Sequence, residues 1–329
     1  MKYKKIGKTN IKISKLSLGT WSIGGETLGK TSYGKITKKD SFNIISKAHD
    51  LGINFYDTSP TYGFSQSLLG SYFKKKRDKI FFSSKVGLNS YKQKKNFSKK
   101  FITNQVHKIL NELNTDYIDF IKLYCPNPKD KSLIDGFEAL NKLKDSGLIR
   151  HIGVSLSSPA DLLRFDKSLK FEIIQLNFNL LDLRILNKEI ISYIKKEKIG
   201  TIARTIYCFG VFTEKFLNNW SFEGSKFPNK NDHRNRWNKD QFESWVNGAR
   251  TIKENLNKNL KIENIATRFP NSFDFISSSL IGVQSLKELK NNLNKKNFFV
   301  LNKKMIKKII NVNKKNFFIL KKSPQRIIK

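Results

Sequence analysis

Short apolar runs alternate along the chain with stretches whose apolar residues recur at helical spacing, from about residue 16 to residue 292. The runs are Leu16–Gly19, Ile53–Asp57, Ile80–Lys85, Asp119–Leu123, Ile152–Ser155, Ile173–Asn177, Thr201–Thr205 and Ser279–Gly282. Each has strand length. Between them, Ser41 to Leu51 is expected to bring Phe42, Ile45, Ala48 and Leu51 near one helix face, and Ile102 to Leu113 does the same with Val106, Ile109, Leu110 and Leu113. Leu133 to Leu148 and Leu186 to Ile199 follow the same pattern. Strands each followed by a helix, with no long linker, predict an α/β fold: a closed (β/α)8 TIM barrel occupying one domain, 1–329.

The flanks depart from this alternation. Tyr3–Ile6 and Ile11–Ser14 surround a Gly7-Lys8-Thr9-Asn10 turn, which predicts a hairpin over 3–14 placed to cap the bottom of the barrel. The segment Glu214 to Arg250 is polar and rich in Asn and Trp, and reads as a long functional loop. From about 302 to 329 the chain is Lys-rich with scattered Ile and Phe, which predicts one basic helix and then a loose tail.

Composition changes this picture little. Sixty-three Lys and Arg against 27 Asp and Glu give a formal charge of +36. A surface that basic attracts polyanions. The lysines are spread along the whole chain, and Lys, Asn and Ile are all over-used, so the excess reads as compositional bias. Charge-driven nucleic-acid association is the competing reading, but no zinc-finger spacing or RNP-type strand accompanies it. Cys125 and Cys208 lie far apart and in no metal-ligand spacing, which excludes a disulfide framework or cysteine metal site and fits a reducing, cytoplasmic setting. No apolar run reaches ~18 residues, so neither an export signal nor a membrane span is expected.

In a barrel of this type the C-terminal ends of the strands face the active site. Those ends carry Asp57, Lys85, Tyr124, Ser155, Gln175 and Arg204, with Tyr62 in the loop after the second strand. Three of them make chemical sense together. A phenol with pKa ~10 is a poor acid at neutral pH. A nearby ammonium favours the phenolate, and a carboxylate holds that ammonium charged and aimed. Asp57, Tyr62 and Lys85 therefore suit protonation of a carbonyl oxygen as hydride arrives at its carbon. Each taken alone also has a plain structural use: Asp57 as a turn cap, Tyr62 as loop packing, Lys85 as one lysine among many.

The order of residues around this trio resembles the aldo-keto reductase family. Tyr56-Asp57-Thr58-Ser59-Pro60-Thr61-Tyr62-Gly63, followed by Ser65-Gln66 and Leu69-Gly70, is similar to its signature D-T-A-x-x-Y-G-x-S-E-x-x-L-G. Arg77-Asp78-Lys79-Ile80 leading to Ser84-Lys85-Val86-Gly87 resembles the family's third strand, and Asp116-Tyr117-Ile118-Asp119 the approach to its fourth. Gly147 to Ser155 and Ile174-Gln175 through Asp182 resemble the fifth and sixth, and Asp232-His233-Arg234-Asn235-Arg236 a loop of some members. The resemblance runs nearly end to end. It implies a barrel that binds NADP or NAD and an oxidoreductase acting on an aldehyde, ketone or sugar carbonyl. Asp57, Tyr62 and Lys85 would be three of four catalytic residues.

The resemblance also marks departures. Where the family pattern D-Y-I-D-L-x-x-x-H places its fourth residue, histidine, this chain has Tyr124. A phenol also donates a hydrogen bond but does not titrate near neutrality. The fifth-strand Ser155 is followed by Leu156 where the family has asparagine, and Arg204 stands where many relatives stack an aromatic on nicotinamide. The resemblance assigns Ser155 and Gln175 to the nicotinamide amide, Thr205 and Gly210 to the pyrophosphate, and Thr20 and Trp21 to the first cofactor contacts. Gly282 through Asn292 would hold the adenosine end, with Asn292 at adenine. Relatives that prefer the 2′-phosphorylated cofactor often carry Lys and Arg at the positions of Gly282 and Glu288. A carboxylate suits a ribose 2′-OH better, while Lys287 and Lys290 flank it, so NAD and NADP both stay open. The expected partner is a small carbonyl or sugar, with no specific nucleic acid and no membrane. A cofactor-binding regulatory protein of weak catalytic power is the alternative function.

Overall fold

The polypeptide enters through two antiparallel strands, β1 (Tyr3–Lys5) and β2 (Lys12–Ser14), in the register Tyr3↔Ser14, Lys4↔Ile13, Lys5↔Lys12. The computed structural model describes residues 1–26, 33–219, 232–237, 239–256 and 259–315. In chain order there follow β3 (Leu16–Gly19), α1 (Lys38–Asp50), β4 (Phe55–Asp57), α2 (Ser65–Phe73), β5 (Phe81–Val86), α3 (Lys99–Leu113), β6 (Ile118–Tyr124), α4 (Leu133–Asp145), β7 (Ile149–Ser155) and β8 (Ile173–Asn177). The chain continues through α5 (Lys188–Lys196), β9 (Gly200–Arg204), α6 (Glu214–Asn219), α7 (Lys239–Leu256), α8 (Ile262–Asn271), β10 (Ser278–Ile281), α9 (Leu286–Asn292) and α10 (Lys303–Lys315).

The strands β3 to β10 pair in parallel and close in the order β10-β3-β4-β5-β6-β7-β8-β9. This is the expected (β/α)8 barrel. Every predicted apolar run is a strand; the largest displacement is at β7, which starts at Ile149 rather than Ile152. Successive side chains alternate faces, and the alternation sorts the barrel interior into layers. At the bottom, Phe55, Phe120, Ile173, Ile202 and Leu280 pack together with Ile6 and Ile13 of the hairpin. The hairpin thus closes that end. Gly7, at φ +55°, lies so close to the Lys198–Gly200 backbone that a Cβ would sit 2.3 Å from the Gly200 nitrogen. Above the apolar layer the inward positions turn polar: Asp57, Ser83, Lys85, Lys122, Gln175 and Arg204.

Four expectations need correction. Phe42 is 39 % exposed and lies edge-on to Tyr72 at 5.2 Å, whereas α1 buries Ser41, Ile44, Ile45 and Ala48. The face is set by the adjacent pair Ile44 and Ile45, which pulls the stripe away from Phe42. The connection from β7 to β8 holds no α-helix but one 3₁₀ turn, Pro159–Leu163, closed by a Ser158/Asp161 capping box. The third correction concerns 214–250, which is not a continuous loop: it holds α6, a 3₁₀ turn at His233–Arg236 and the start of α7. Helix α7 buries Phe242, Trp245, Val246, Ala249 and Ile252, a 3.6-residue stripe hidden among polar residues. Last, α4 and α5 are shorter than the patterns Leu133–Leu148 and Leu186–Ile199. Residues 220–231 and 238 of the expected loop and 316–329 of the expected tail lie outside the described residues. The basic C-terminal helix is α10, which packs on α7 and buries Ile309 and Val312. Among the described residues no helix is long and apolar enough to cross a membrane.

Candidate active site

The C-terminal mouth of the barrel is organised around one carboxylate. Asp57 ends β4, pointing inward two residues above Phe55, and is buried. Its Oδ2 accepts from Lys85 Nζ at 2.6 Å. Its Oδ1 accepts from Gln175 Nε2 at 2.9 Å and from the Nζ of Lys122. Burial alone would raise the Asp57 pKa, but the two ammoniums and their hydrogen bonds outweigh it and hold the carboxyl below its usual range. Lys85 also donates to the Thr58 carbonyl at 2.9 Å. Burial, reinforced by the Lys122 and Arg204 cations, pushes Lys85 down to about 7 against the pull of Asp57.

Tyr62 lies over this centre, in the loop before α2. Lys85 Nζ is 4.6 Å from its ring centroid. The Tyr62 phenol is pushed well above its ordinary value, first by burial and then by Tyr91, Asp57 and Tyr124, with Arg204 opposing. The sequence led us to expect a phenol lowered by its lysine. Here desolvation wins, and the resting group is a protonated phenol. Tyr124 ends β6, opposite Ser155 in register, with its ring edge-on to Tyr91 at 6.4 Å. Tyr91 Oη in turn accepts from Trp21 Nε1 at 3.3 Å and from Thr61 Oγ1 at 3.2 Å. Trp21 lies edge-on to Tyr33, His233 and Tyr62. These rings make an aromatic wall beside the polar centre.

The remaining assigned residues line the same mouth. Thr20 Oγ1 and its backbone N–H both donate to the Asp57 carbonyl at 3.0 Å, which ties the end of β3 to that of β4. Ser155 is buried at the end of β7, its Oγ 3.9 Å from Cys125 Sγ. Arg204 donates from Nη2 to the Leu156 carbonyl at 3.1 Å. Thr205 Oγ1 donates to Asn177 Oδ1 at 2.9 Å. The turn after β9 runs through left-handed φ at Thr205 (+59°), Cys208 (+45°), Phe209 (+58°) and Gly210 (+93°). Three non-glycine residues in that region within five positions is a concentration of backbone strain that is common at functional loops.

The adenosine end sorts differently. Glu288 accepts from the Gln284 N–H at 2.8 Å while its own N–H donates to Ser285 Oγ at 3.2 Å. Ser285 caps α9, and the Glu288 carboxylate braces the residue before that cap, so it has a structural use here. A Cβ on Gly282 would meet only Ser22 Oγ, at 3.6 Å, so the backbone there is open to a neighbour. Asn292 is buried at the end of α9.

A nicotinamide needs partners for its amide. Gln175 gives its nitrogen to Asp57 and keeps a buried Oε1 with no hydrogen-bond partner among the described residues; Arg204 Nε is in the same condition. Buried polar atoms of this kind cost free energy unless something completes them. The orphaned Gln175 oxygen, beside Ser155 and next to Tyr62's centre, fits a carboxamide N–H.

Lys122 is the buried charge of this centre that the sequence reading passed over. Its Nζ is fully buried on Asp57 and donates to Ser83 Oγ at 2.5 Å. The signal was present in the alternation of β6: Phe120, Lys122 and Tyr124 share the inward face, and an ammonium two residues from a barrel-core phenylalanine requires an anion.

Comparison with known proteins completes this picture. The model of the aldo/keto reductase family matches residues 15–314. The chain is 32% identical to "Aldo-keto reductase YhdN" of Bacillus subtilis (strain 168) over 259 residues, 77% of this chain and 75% of that protein. It is 30% identical to the "NADH-specific methylglyoxal reductase" of Escherichia coli (strain K12) over 199 residues, 55% of this chain and 60% of that one. Among solved structures, the holo form of aldo-keto reductase AKR11C1 from Bacillus halodurans superposes with a TM-score of 0.76 at 21% identity, covering 95% of this chain and 96% of that one. The glycerol dehydrogenase AKR11B4 from Gluconobacter oxydans gives 0.74 at 23%, covering 95% of each.

Proposed function

The chain belongs to the aldo/keto reductase family of oxidoreductases, and from that premise we propose that it transfers hydride between NADPH or NADH and a small aldehyde, ketone or sugar carbonyl. The observation that carries this reading is the buried Asp57 carboxylate holding Lys85 against the ring of Tyr62 at the C-terminal mouth. In the reducing direction a bound nicotinamide supplies the hydride. Tyr62 donates its proton to the carbonyl oxygen, and it starts in the right form because burial keeps the phenol protonated. As the proton leaves, Lys85 and Arg204 offset the charge that grows on the phenol oxygen. Tyr124, at the end of β6, takes the place of the family's histidine as the second donor to the carbonyl.

Gln175 Oε1 and Ser155 would hold the cofactor's carboxamide, with Thr20 and Trp21 beside them and Arg204 stacking where relatives place an aromatic. Thr205 and Gly210 would meet the pyrophosphate, and Gly282, Glu288 and Asn292 the adenosine. The hydrogen bond of Glu288 to the Gln284 N–H leaves the choice between NAD and NADP to measurement. One relative, the NADH-specific methylglyoxal reductase, supports the substrate class. The test is a fluorescence titration with each reduced cofactor, followed by a carbonyl panel that includes sugars. Tight cofactor binding with turnover of a panel member is the expected result. Cofactor binding with no reduction across the panel overturns it in favour of a regulatory role.

A further inference from the structure

Inside the barrel, one carboxylate faces two ammoniums. Asp57 Oδ2 serves Lys85, and Oδ1 serves Lys122 and Gln175. The charged and titratable groups that face this pair are Asp57 from β4, Tyr62 from the loop after β4, each lysine from β5 and β6, and Arg204 from β9. Described residues place no second anion there. A buried carboxylate can balance one buried cation, not two, and the low-dielectric interior penalises the excess. Lys122 has the deeper berth: its side chain is fully buried and its second partner is the Ser83 hydroxyl. Lys85 lies next to the mouth, under the one group whose proton the reaction moves.

We propose that Lys122 is a positioning residue that takes a share of the Asp57 carboxylate and thereby makes Lys85 a proton-exchanging partner of Tyr62 rather than a fixed cation. This rests on the reductase reading above. When Tyr62 has given its proton to the carbonyl oxygen, an N–H of the Lys85 ammonium passes a proton to the phenolate oxygen, leaving a neutral amine that is reprotonated from water at the mouth. The lowered pKa of Lys85, near neutrality, agrees with this role. The sign follows. Lys85 supplies a proton only while charged, so turnover falls as pH rises through its pKa. Removing the Lys122 charge returns all of Asp57 to Lys85 and moves that limb upward.

The experiment compares native protein with Lys122→Met and Lys122→Gln. The first readout does not depend on turnover: the pH titration of lysine [¹³Cε] resonances in cofactor-free protein, with the Lys85 signal identified by its loss in Lys85→Arg. Lys85 is expected to titrate near neutrality in the native chain and about 1–2 pH units higher in both Lys122 variants. The second readout is the pH profile of kcat, whose alkaline limb should move by the same amount. Lys122→Gln keeps a donor toward Asp57 and Ser83 without the charge. If Gln preserves the native titration while Met displaces it, hydrogen bonding is the role of Lys122 and the proposal is overturned. An unchanged Lys85 titration in both variants overturns it as well. A displaced titration in a protein that reduces no carbonyl leaves this inference standing and removes the reductase reading instead.

Discussion

Two buried carboxylates in this barrel each hold two cations, one inside the wall of strands and one outside. Asp57 points inward with Lys85 and Lys122. Asp119, one residue before the inward Phe120, points outward, where Arg77 reaches its Oδ2 at 2.7 Å and Arg150 its Oδ1 at 3.0 Å. The outer node is densely bonded. Asp119 Oδ2 also accepts from the Phe82 N–H, and Arg77 further donates to Thr115 Oγ1 and to the carbonyls of Ile80 and Tyr117. Both guanidinium groups lie over the Tyr117 ring, at 4.1 and 3.9 Å. Neither cation sheds its proton in water. The inner node uses lysines, which can, and beside it lies the unpartnered Gln175 Oε1. Protonation differs to match: burial raises Asp119 more than its arginines lower it, whereas the two ammoniums hold Asp57 down. Similar inventories of charge therefore make a rivet in one place and a candidate reactive centre in the other.

The largest effect expected from breaking the inner centre is on turnover. Tyr62→Phe should lower kcat by about 10²–10⁴, the usual contribution of a positioned general acid, while cofactor affinity measured by fluorescence changes little. Lys85→Met should fall in the same range. Equal kcat for native and Tyr62→Phe protein would remove Tyr62 as the acid.

At the outer node the effect should appear in stability instead. Asp119→Asn leaves Arg77, only 14% exposed, without its anion, and breaking one side of a buried pair costs on the order of 3 kcal/mol. Denaturant unfolding should show that loss, with kcat per folded molecule unchanged. A drop in kcat without a drop in stability would erase the distinction between the two nodes.

Smaller in scale is the donor at the end of β6. If Tyr124 polarises the carbonyl, Tyr124→Phe removes one hydrogen bond in the transition state, about 1–3 kcal/mol, or a ten- to hundredfold loss in kcat/KM. A silent substitution would mean that the ring only fills space beside Tyr91. Tyr124→His separates two further cases: a gain with simple aldehydes marks an impaired reductase, and a loss marks a pocket shaped around tyrosine.

The two nodes were unequally legible in the sequence. Barrel strands buried on both faces read as continuous apolar runs, so the order of elements could be predicted from alternation alone. Asp57 and Lys85 stood at strand ends and Tyr62 in the loop between those strands, in an order resembling a known family, which brought them together ahead of the fold. Lys122 escaped because in a chain with 63 basic residues one more lysine carries no compositional signal. Only its parity with Phe120 and Tyr124 shows which way it points. The Asp119 node escaped for another reason: Arg77 and Arg150 meet it from separate elements, before β5 and on β7, and no local pattern links residues that far apart. Glu288 shows the converse, where a residue singled out for cofactor choice turns out to bond the backbone just ahead of its own helix.

The finest test of the contrast is the pH dependence of stability after each carboxylate is neutralised. In Asp57→Asn the lysines lose the one anion that faces them among the described residues, so their folded-state pKa values fall further below the unfolded value of ~10.4. Between the two values the unfolded chain binds more protons than the folded one, and stability therefore rises with pH. The cost of Asp57→Asn should be greatest near neutral pH and shrink by about 1–2 kcal/mol toward pH 10, because the native fold still holds lysine protons that the variant has shed, and it levels off once the native lysines are neutral too. The arginines around Asp119 do not titrate over that range, so Asp119→Asn should carry a nearly constant cost from pH 7 to pH 10. Urea unfolding of both variants against the native chain, at matched ionic strength, measures the two slopes. Parallel curves would mean that the inner lysines are as fixed in charge as the outer arginines, and the proton-exchanging role of Lys85 would fall with that result.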